Sequence, residues 1–200
     1  GNHLTYTRSG KLWLLNIKSE HEKELFSLDT PILRSAWSPD GSKIAFDSGN
    51  PSLTGNIDIF IIDIDGKNLK QLTNHPKIDS QPHFSPDGKW ITFMSEKSGN
   101  RDIWIMRTDG SRKTRLTYDP ETDVWPRWSP DGNKIAFGSQ RKTKTKRETN
   151  IWIINLEKQL GKDFFNTSIS QSAGKGIDKE FLIKSGEEEL YIRRRGQDIS

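Results

Sequence analysis

The sequence contains no cysteine, so it can form no disulfide, hold no metal through thiolates and use no thiol nucleophile. Only 31% of its 200 residues are hydrophobic, and no apolar run approaches the roughly 18 residues that a membrane-spanning helix needs. Positive charge is barely in excess, with 31 Lys and Arg against 27 Asp and Glu, which is too small a bias to indicate nucleic acid. We therefore expect a water-facing chain with no membrane span and no nucleic-acid partner.

Aromatic residues are plentiful instead, and one motif that follows an aromatic occurs three times. The tetrapeptide Ser-Pro-Asp-Gly occupies 38–41, 85–88 and 129–132, at spacings of 47 and 44 residues. Pro fixes φ, Asp can bond the backbone two residues on, and Gly accepts a positive φ, so each copy predicts a chain reversal between strands. The preceding aromatic is predicted to pack between neighbouring repeats. The predicted structural positions are Trp37, Asp40, Gly41, Phe84, Asp87, Gly88, Trp128, Asp131 and Gly132.

Two kinds of short strand accompany the tetrapeptide. An alternating strand follows each copy, as in Ile44-Ala45-Phe46. A second strand has a bulky aromatic between aliphatic residues, and it recurs five times, centred on Trp13, Phe60, Trp104, Trp152 and Tyr191. Four short antiparallel strands repeated every 44 to 48 residues are typical of a β-propeller blade.

The predicted fold class is therefore all-β: a β-propeller of four-stranded antiparallel blades, with about four to five blades in one domain over 1–200. The predicted units are about 4–30, 31–73, 78–117, 122–160 and a degenerate C-terminal unit 161–200. The first unit lacks its first strand, and the last lacks an obvious fourth strand. The chain is expected to be an open arc or a fragment of a larger ring, unless Phe164 to Ser168 serves as the missing strand and closes a small ring. Open blade edges would also allow a homo-oligomer.

At these residues the sequence resembles the TolB-like, WD-repeat-like β-propeller family. Blades of that family carry an aromatic, Ser-Pro-Asp-Gly, a Lys and an aliphatic-x-Phe strand, as this sequence does from Trp37 to Phe46 and again from Phe84 and Trp128. The resemblance implies a non-catalytic ring that binds a protein partner through its loops. It also implies a periplasmic or extracellular setting.

Two other functions share this fold, and fold alone does not decide between them. The blades of this family also form the lid of prolyl-oligopeptidase-like peptidases, whose hydrolase domain carries a Gly-x-Ser-x-Gly elbow. Ser172 and Ser185 lack the flanking glycines, so we predict no catalytic residues in this chain. The third functional hypothesis is a propeller that binds a glycan or another small ligand in its central channel.

Metal and cofactor binding are not expected. Asp58, Asp63 and Asp65 lie close together in the sequence, but their spacing is not that of an EF-hand calcium loop. We interpret them as turn-forming residues. The four histidines are scattered at His3, His21, His75 and His83, so zinc would need a ligand from a distant blade.

Candidate partner-binding residues lie in the connections between units. The connections 74–82 and 119–126 each contain an Asp and end at a Pro, and with 28–35 they are predicted to line one mouth of the ring or to cap the blade ends. A basic run over 141–147 extends another loop and could meet an anionic partner. The partner-binding candidates are Asp79, Gln81, Asp123, Trp125, Lys142, Lys144 and Lys146.

Overall fold

The computed structural model describes residues 1–141 and 149–161, together with the backbone of 183–185 and 188–190. Four antiparallel sheets, each with its strands in chain order, account for most of the described residues. We refer to these sheets as blades one to four. Blade one contains β1 (His3–Arg8), β2 (Lys11–Asn16) and β3 (Glu22–Phe26), and blade two contains β4 (Ile32–Trp37), β5 (Lys43–Asn50), β6 (Asn56–Asp63) and β7 (Lys70–Gln71). Blade three contains β8 (Asp79–Phe84), β9 (Trp90–Ser95), β10 (Asp102–Arg107) and β11 (Thr114–Arg115), and blade four contains β12 (Asp123–Trp128), β13 (Lys134–Ser139) and β14 (Asn150–Asn155).

Residues 154–200 form a second compact unit. Its described part contains a five-residue helix, α1 (Leu156–Leu160), which the sequence patterns did not predict. The side chain of Asn155 caps this helix by accepting a hydrogen bond from the backbone N–H of Lys158. The unit also contains an antiparallel pair, β15 (Ile183–Ser185) and β16 (Glu188–Leu190), within the region predicted as a degenerate C-terminal unit.

The Ser-Pro-Asp-Gly turns link the first two strands of blades two, three and four. In blade two the Ser38 hydroxyl donates to Asp40 Oδ1 at 2.6 Å, and its oxygen accepts the backbone N–H of Lys43 at 2.8 Å. Gly41 has a φ of 72°, which the turn requires and which side chains disfavour. The Ser38 hydroxyl, followed by the Ser42 N–H, lowers the pKa of Asp40 to about 2. The same serine and aspartate bonds recur at Ser85 and Ser129.

Successive blades pack face to face through one apolar layer. Between blades two and three this layer joins residues from both sheets, with Phe84 against the strands of blade two. Its buried members are Ala45, Ile59, Ile61, Leu72, Phe84, Ile91, Phe93 and Met106. The turns stack as well, because Pro39 Cδ would lie 3.6 Å from a Cβ placed on Gly88. The hydrophobic core of this fold therefore lies between sheets rather than within one sheet.

The described sheets do not close into a ring. Blade one has three strands and lacks a counterpart of β4, as the sequence predicted. At the other end, Ile151 and Ile153 are 81% and 63% exposed, whereas their equivalents Ile59 and Ile61 in blade two are buried. The structure is thus a partial propeller over the residues it describes. The segment Phe164 to Ser168 lies outside those residues, and a homo-oligomer through the open edges stays a prediction.

The first strands of blades three and four begin within the segments 74–82 and 119–126, which the sequence predicted to be loops. β8 starts at Asp79 and β12 at Asp123, so that both strands continue through a proline. The outer strands β7 and β11 contain two residues each, fewer than predicted. Prolines and short outer strands both blur the alternation of polar and apolar residues from which strands are predicted.

Phe84→Ala is expected to lower the free energy of unfolding by about 3 to 5 kcal/mol, because it leaves a cavity in the layer between two blades. Urea unfolding followed by far-UV circular dichroism measures this change. Leu53→Ala is the control, because Leu53 is 83% exposed, and we expect it to cost less than about 0.5 kcal/mol. A cost below about 1 kcal/mol for Phe84→Ala would show that the blades do not pack through this ring.

Candidate functional site

The first strands of three successive blades each contain a shift in β-pairing register. β4, β8 and β12 lie side by side, since β8 contacts both of the others. Their pairing with the second strand shifts register between Ile32 and Arg34, between Ser80 and His83, and between Val124 and Arg127. In blades three and four the shifted segment contains a proline, which has no N–H to donate to the ladder. Such bulges redirect side chains, and here they redirect the equivalent residues Arg34, Gln81 and Trp125.

Gln81 and Trp125 have left-handed backbone conformations, with φ of 62° and 56°. For residues other than Gly this conformation costs on the order of 1 to 3 kcal/mol. Interactions with the preceding blade offset that cost. The N–H of Gln81 donates to Asp47 Oδ2 at 2.9 Å, and the N–H of Trp125 donates to Gln81 Oε1 at 2.6 Å.

Asp47 joins blades two and three. Its Oδ1 accepts the backbone N–H of Arg34 at 2.7 Å, while Oδ2 accepts Gln81 N–H and lies 3.4 Å from the Arg34 guanidinium. Its side chain is fully buried. Burial raises the pKa of Asp47, although the bonds from Gln81 and Arg34 oppose that shift. The carboxylate therefore serves as a backbone acceptor between two blades.

Trp125 presents its indole to solvent. The residue is 56% exposed, unlike the other tryptophan of β12, Trp128, which is 8% exposed. One edge of the indole lies over the backbone of Gly138, where an added Cβ would approach Trp125 Cε3 to 3.0 Å. Gly138 thus leaves the room that the indole occupies. An exposed aromatic held by backbone bonds is the kind of group that anchors protein interfaces.

The exposed charges on these three strands are positive. Arg34 and Arg127 are exposed, whereas the carboxylates of Asp79 and Asp123 are buried. Burial lowers the pKa of His83 to about 4, and the Arg127 guanidinium adds to the shift, so His83 is neutral at pH 7. The strand ends therefore offer guanidinium groups and one indole to a partner.

Asp79 and Asp123 belong to polar clusters at the junctions between blades. In the junction of blades two and three, the Thr73 hydroxyl donates to Asp58 Oδ1 at 3.1 Å and accepts the N–H of Ile59 at 2.9 Å. Burial raises the pKa of Asp79, hydrogen bonds from Ser95 and Thr73 oppose the shift, and the Asp58 carboxylate adds to it. The described residues place no Lys or Arg within ion-pair distance of Asp58 or Asp79.

The junction of blades three and four repeats the arrangement with added cations. Thr117 donates to Asp102 Oδ1 at 3.4 Å and accepts the N–H of Ile103 at 2.9 Å. Arg115 lies 2.8 Å from Asp102 Oδ2, and Arg141 lies 2.8 Å from Asp123 Oδ2. Burial still raises the pKa of both Asp102 and Asp123, since desolvation outweighs these contacts.

The predicted site residues therefore separate into three groups. Trp125 is exposed on the surface formed by the first strands, and the side chain of Gln81 accepts a hydrogen bond from its backbone N–H. Asp79 and Asp123 face neighbouring blades, so their side chains are not directly available to a partner. Lys142, Lys144 and Lys146 lie outside the described residues. The tetrapeptide residues lie in the turns at the opposite end of the strands.

Sequence reasoning missed Arg34, Asp47 and the threonines Thr73 and Thr117. A signal for the threonines was present, because each stands 15 residues after the aspartate it contacts, in two successive repeats. Asp47 carries no such signal, since its equivalents in the next two blades are Met94 and Gly138. Asp63 and Asp65 lie at a turn as predicted, with Asp65 accepting Lys67 N–H at 3.0 Å, but Asp58 is a junction residue instead.

The residues with described side chains contain no group of three or more His, Asp or Glu side chains placed to hold a metal ion. Within the described ranges, no helix has the length and apolar character to cross a membrane.

The repeated antiparallel sheets of three or four strands, their turns and the layered packing define a β-propeller. The chain belongs to the TolB beta-propeller domain family, which it matches over residues 1–175. Among curated proteins it resembles the Tol-Pal system protein TolB of Francisella tularensis subsp. mediasiatica, with 32% identity over 46% of this chain and 21% of that protein. It also resembles the Tol-Pal system protein TolB of Bordetella pertussis, with 37% identity over 34% of this chain and 25% of that protein.

Solved structures show the same fold. TolB from Acinetobacter baumannii superposes with a TM-score of 0.65 at 22% identity, covering 80% of this chain and 39% of that one. An oligogalacturonate lyase in complex with manganese gives a TM-score of 0.63 at 14% identity, covering 78% of this chain and 48% of that one. The chain thus spans less than half the length of these relatives.

The buried aspartates Asp47, Asp79, Asp102 and Asp123 should favour the folded state increasingly as the pH falls from about 7 towards about 4, because folding raises their pKa values. His83 should oppose this trend below its ordinary pKa of 6.5, because folding lowers its pKa to about 4. A raised pKa means that the folded state binds more protons than the unfolded chain above the ordinary Asp pKa of about 3.9. The stabilisation is complete below that value and is lost as the pH rises through the folded pKa. Urea midpoints measured across this range test the expectation.

Asp79→Asn should remove one of the aspartate contributions to this pH dependence, so the wild type should gain stability relative to the variant as the pH falls from about 7 towards about 4, because the variant cannot ionise at the buried position. Asp65→Asn is the matched control, since Asp65 is an exposed turn residue and its replacement should leave the slope unchanged. An Asp79→Asn slope equal to that of the wild type would contradict the assignment.

Proposed function

We propose that this chain is a non-catalytic β-propeller module that binds a protein partner at the ends of its first strands. The observation that carries the proposal is Trp125, whose indole is 56% exposed while its backbone is held in a left-handed conformation by the preceding blade. Strained, well-supported residues of this kind concentrate at functional sites. Exposed tryptophans are among the residues that contribute most to protein interfaces.

The charge distribution indicates the chemistry of the partner. The exposed ionic groups of β4, β8 and β12 are the guanidiniums of Arg34 and Arg127, whereas the carboxylates on these strands are buried. Complementary charge favours encounter with, and correct orientation of, an acidic segment. We infer that the partner presents an acidic segment with an apolar residue for the indole of Trp125.

The proposed setting is the periplasm or the extracellular space. This part of the proposal is supported by family membership and by relatives described as Tol-Pal system proteins. The oligogalacturonate lyase is similar in fold alone at 14% identity, and no arrangement among the described residues favours that activity here.

Site-specific photocross-linking tests the proposal. A benzoylphenylalanine placed at position 125, in cells of the organism that encodes the chain, should yield one dominant protein adduct. The control carries the same group at Lys89, which is exposed beside the tetrapeptide turn at the opposite end of β8. Position 89 should yield no such adduct.

Charge provides the second arm of this experiment. Arg127→Gln and added salt should both reduce the adduct at position 125 severalfold, because both weaken attraction to an acidic segment. Equal adducts from positions 125 and 89, or none from either, would refute binding at this surface. An adduct unaffected by salt and by Arg127→Gln would refute the acidic partner alone.

A further inference from the structure

We propose that Gln81 is a positioning residue, which fixes the indole of Trp125 in the next blade in the orientation that a partner contacts. The inference rests on the proposed function for the identity of the contact surface. Its physical basis is a single bond between blades three and four, from the N–H of Trp125 to Gln81 Oε1 at 2.6 Å.

Trp125 depends on this acceptor because its own strand offers little backbone support at that point. The pairing of β12 with β13 is interrupted between Val124 and Arg127, and Pro126 between them has no N–H. The N–H of Trp125 therefore needs an acceptor from elsewhere, and its left-handed φ of 56° needs a bond that holds it. The side-chain oxygen of Gln81 is that acceptor, and the same bond holds the left-handed conformation.

Gln81 is itself immobilised, which a positioning residue requires. It is 8% exposed, and its backbone N–H donates to Asp47 Oδ2 at 2.9 Å. Asp47 is held in turn by the N–H of Arg34 at 2.7 Å. The bonds therefore run in one direction through three blades, from Asp47 through Gln81 to Trp125. A rigid acceptor of this kind orients the next group at little further entropic cost.

The indole also lies close to the backbone of Gly138. That contact limits how closely the ring can approach β13, but it leaves the exposed face free. The conformation at the Trp125 Cα atom therefore decides where the ring points. Removing the acceptor should release that conformation without removing apolar contacts from the layers between blades.

Gln81→Met tests the inference, because methionine keeps the length of the side chain and loses the oxygen. The matched control is Gln71→Met, the same chemical change on the exposed outer strand β7, where Gln71 donates to Asp58 Oδ2. Two measurements need no partner: hydrogen exchange of the Trp125 amide, and the fluorine resonance of 5-fluorotryptophan at position 125. The resonance is assigned by its disappearance in Trp125→Phe.

We expect Gln81→Met to accelerate exchange of the Trp125 amide at least about tenfold and to shift its fluorine resonance, while Gln71→Met leaves both unchanged. Other amides of blade four should keep their protection, which distinguishes positioning from general unfolding. Unchanged exchange and an unchanged resonance in Gln81→Met would overturn the inference whatever the partner does.

The binding arm keeps Trp125 and Arg127 in place and carries benzoylphenylalanine at Thr149, which is exposed and lies beside Gly138 next to the indole. Gln81→Met should reduce the adduct at least about threefold relative to Gln71→Met. A changed Trp125 signal with an undiminished adduct would overturn the positioning role in binding. If the chain with Gln81 intact gives no adduct from position 125 or position 149, the proposed function fails, even if the amide and fluorine measurements show that Gln81 holds Trp125.

Discussion

The structure depends on the contact between the face of one blade and the face of the next. A four-stranded sheet of short strands is too small to bury its own apolar residues, so each blade requires a neighbour. Phe84 and Ile91 of blade three and Ile59 of blade two become buried only where the two sheets meet. Where the described residues supply no next blade, Ile151 and Ile153 stay exposed. The modest hydrophobic content of the chain is sufficient because it is concentrated at these layers.

Packing the sheets against each other also buries polar groups. The same hydrogen-bonding arrangement satisfies these groups in blades two and three. Thr73 and Thr117 each accept a backbone N–H and donate to an aspartate of the same blade. The junctions differ in their cations, since Arg115 and Arg141 pair with the carboxylates of one junction. In the other junction Asp58 is satisfied by neutral donors instead, namely the Asn56 and Gln71 amides and the Thr73 hydroxyl.

The repeat made much of this fold predictable. The tetrapeptide turns depend on local backbone chemistry, so Ser38, Asp40 and Gly41 could be assigned from four consecutive residues. The short strands could be recognised from their aliphatic and aromatic residues, although the packed blades bury both faces of β5 and β9. The bulges at Pro82 and Pro126 were harder to predict, because a proline usually marks the end of a strand, whereas here β8 and β12 continue through it.

The candidate surface was only partly predictable for the same reason. Gln81 and Trp125 could be singled out because each directly precedes a proline, and the aromatic residue before the tetrapeptide follows two positions after that proline. Their roles could not, because Gln81 acts on a residue 44 positions away and Asp47 acts on Gln81 across 34 positions. Contacts between residues so far apart in the chain cannot be recognised from the local sequence. Asp79 and Asp123 were equally visible as polar residues in predicted loops, yet the structure buries both.

The sequence by itself determined the blade, its turns and its repeat, because those follow from local backbone preferences and from alternation along a strand. The tertiary structure alone decided which polar residues meet across blades, which carboxylates lose water and which aromatic stays exposed. These outcomes depend on the distance between atoms that are remote in the chain, and blade packing sets that distance. The repeated motifs therefore indicated a propeller, whereas the surface proposed for binding emerged only from the packed blades.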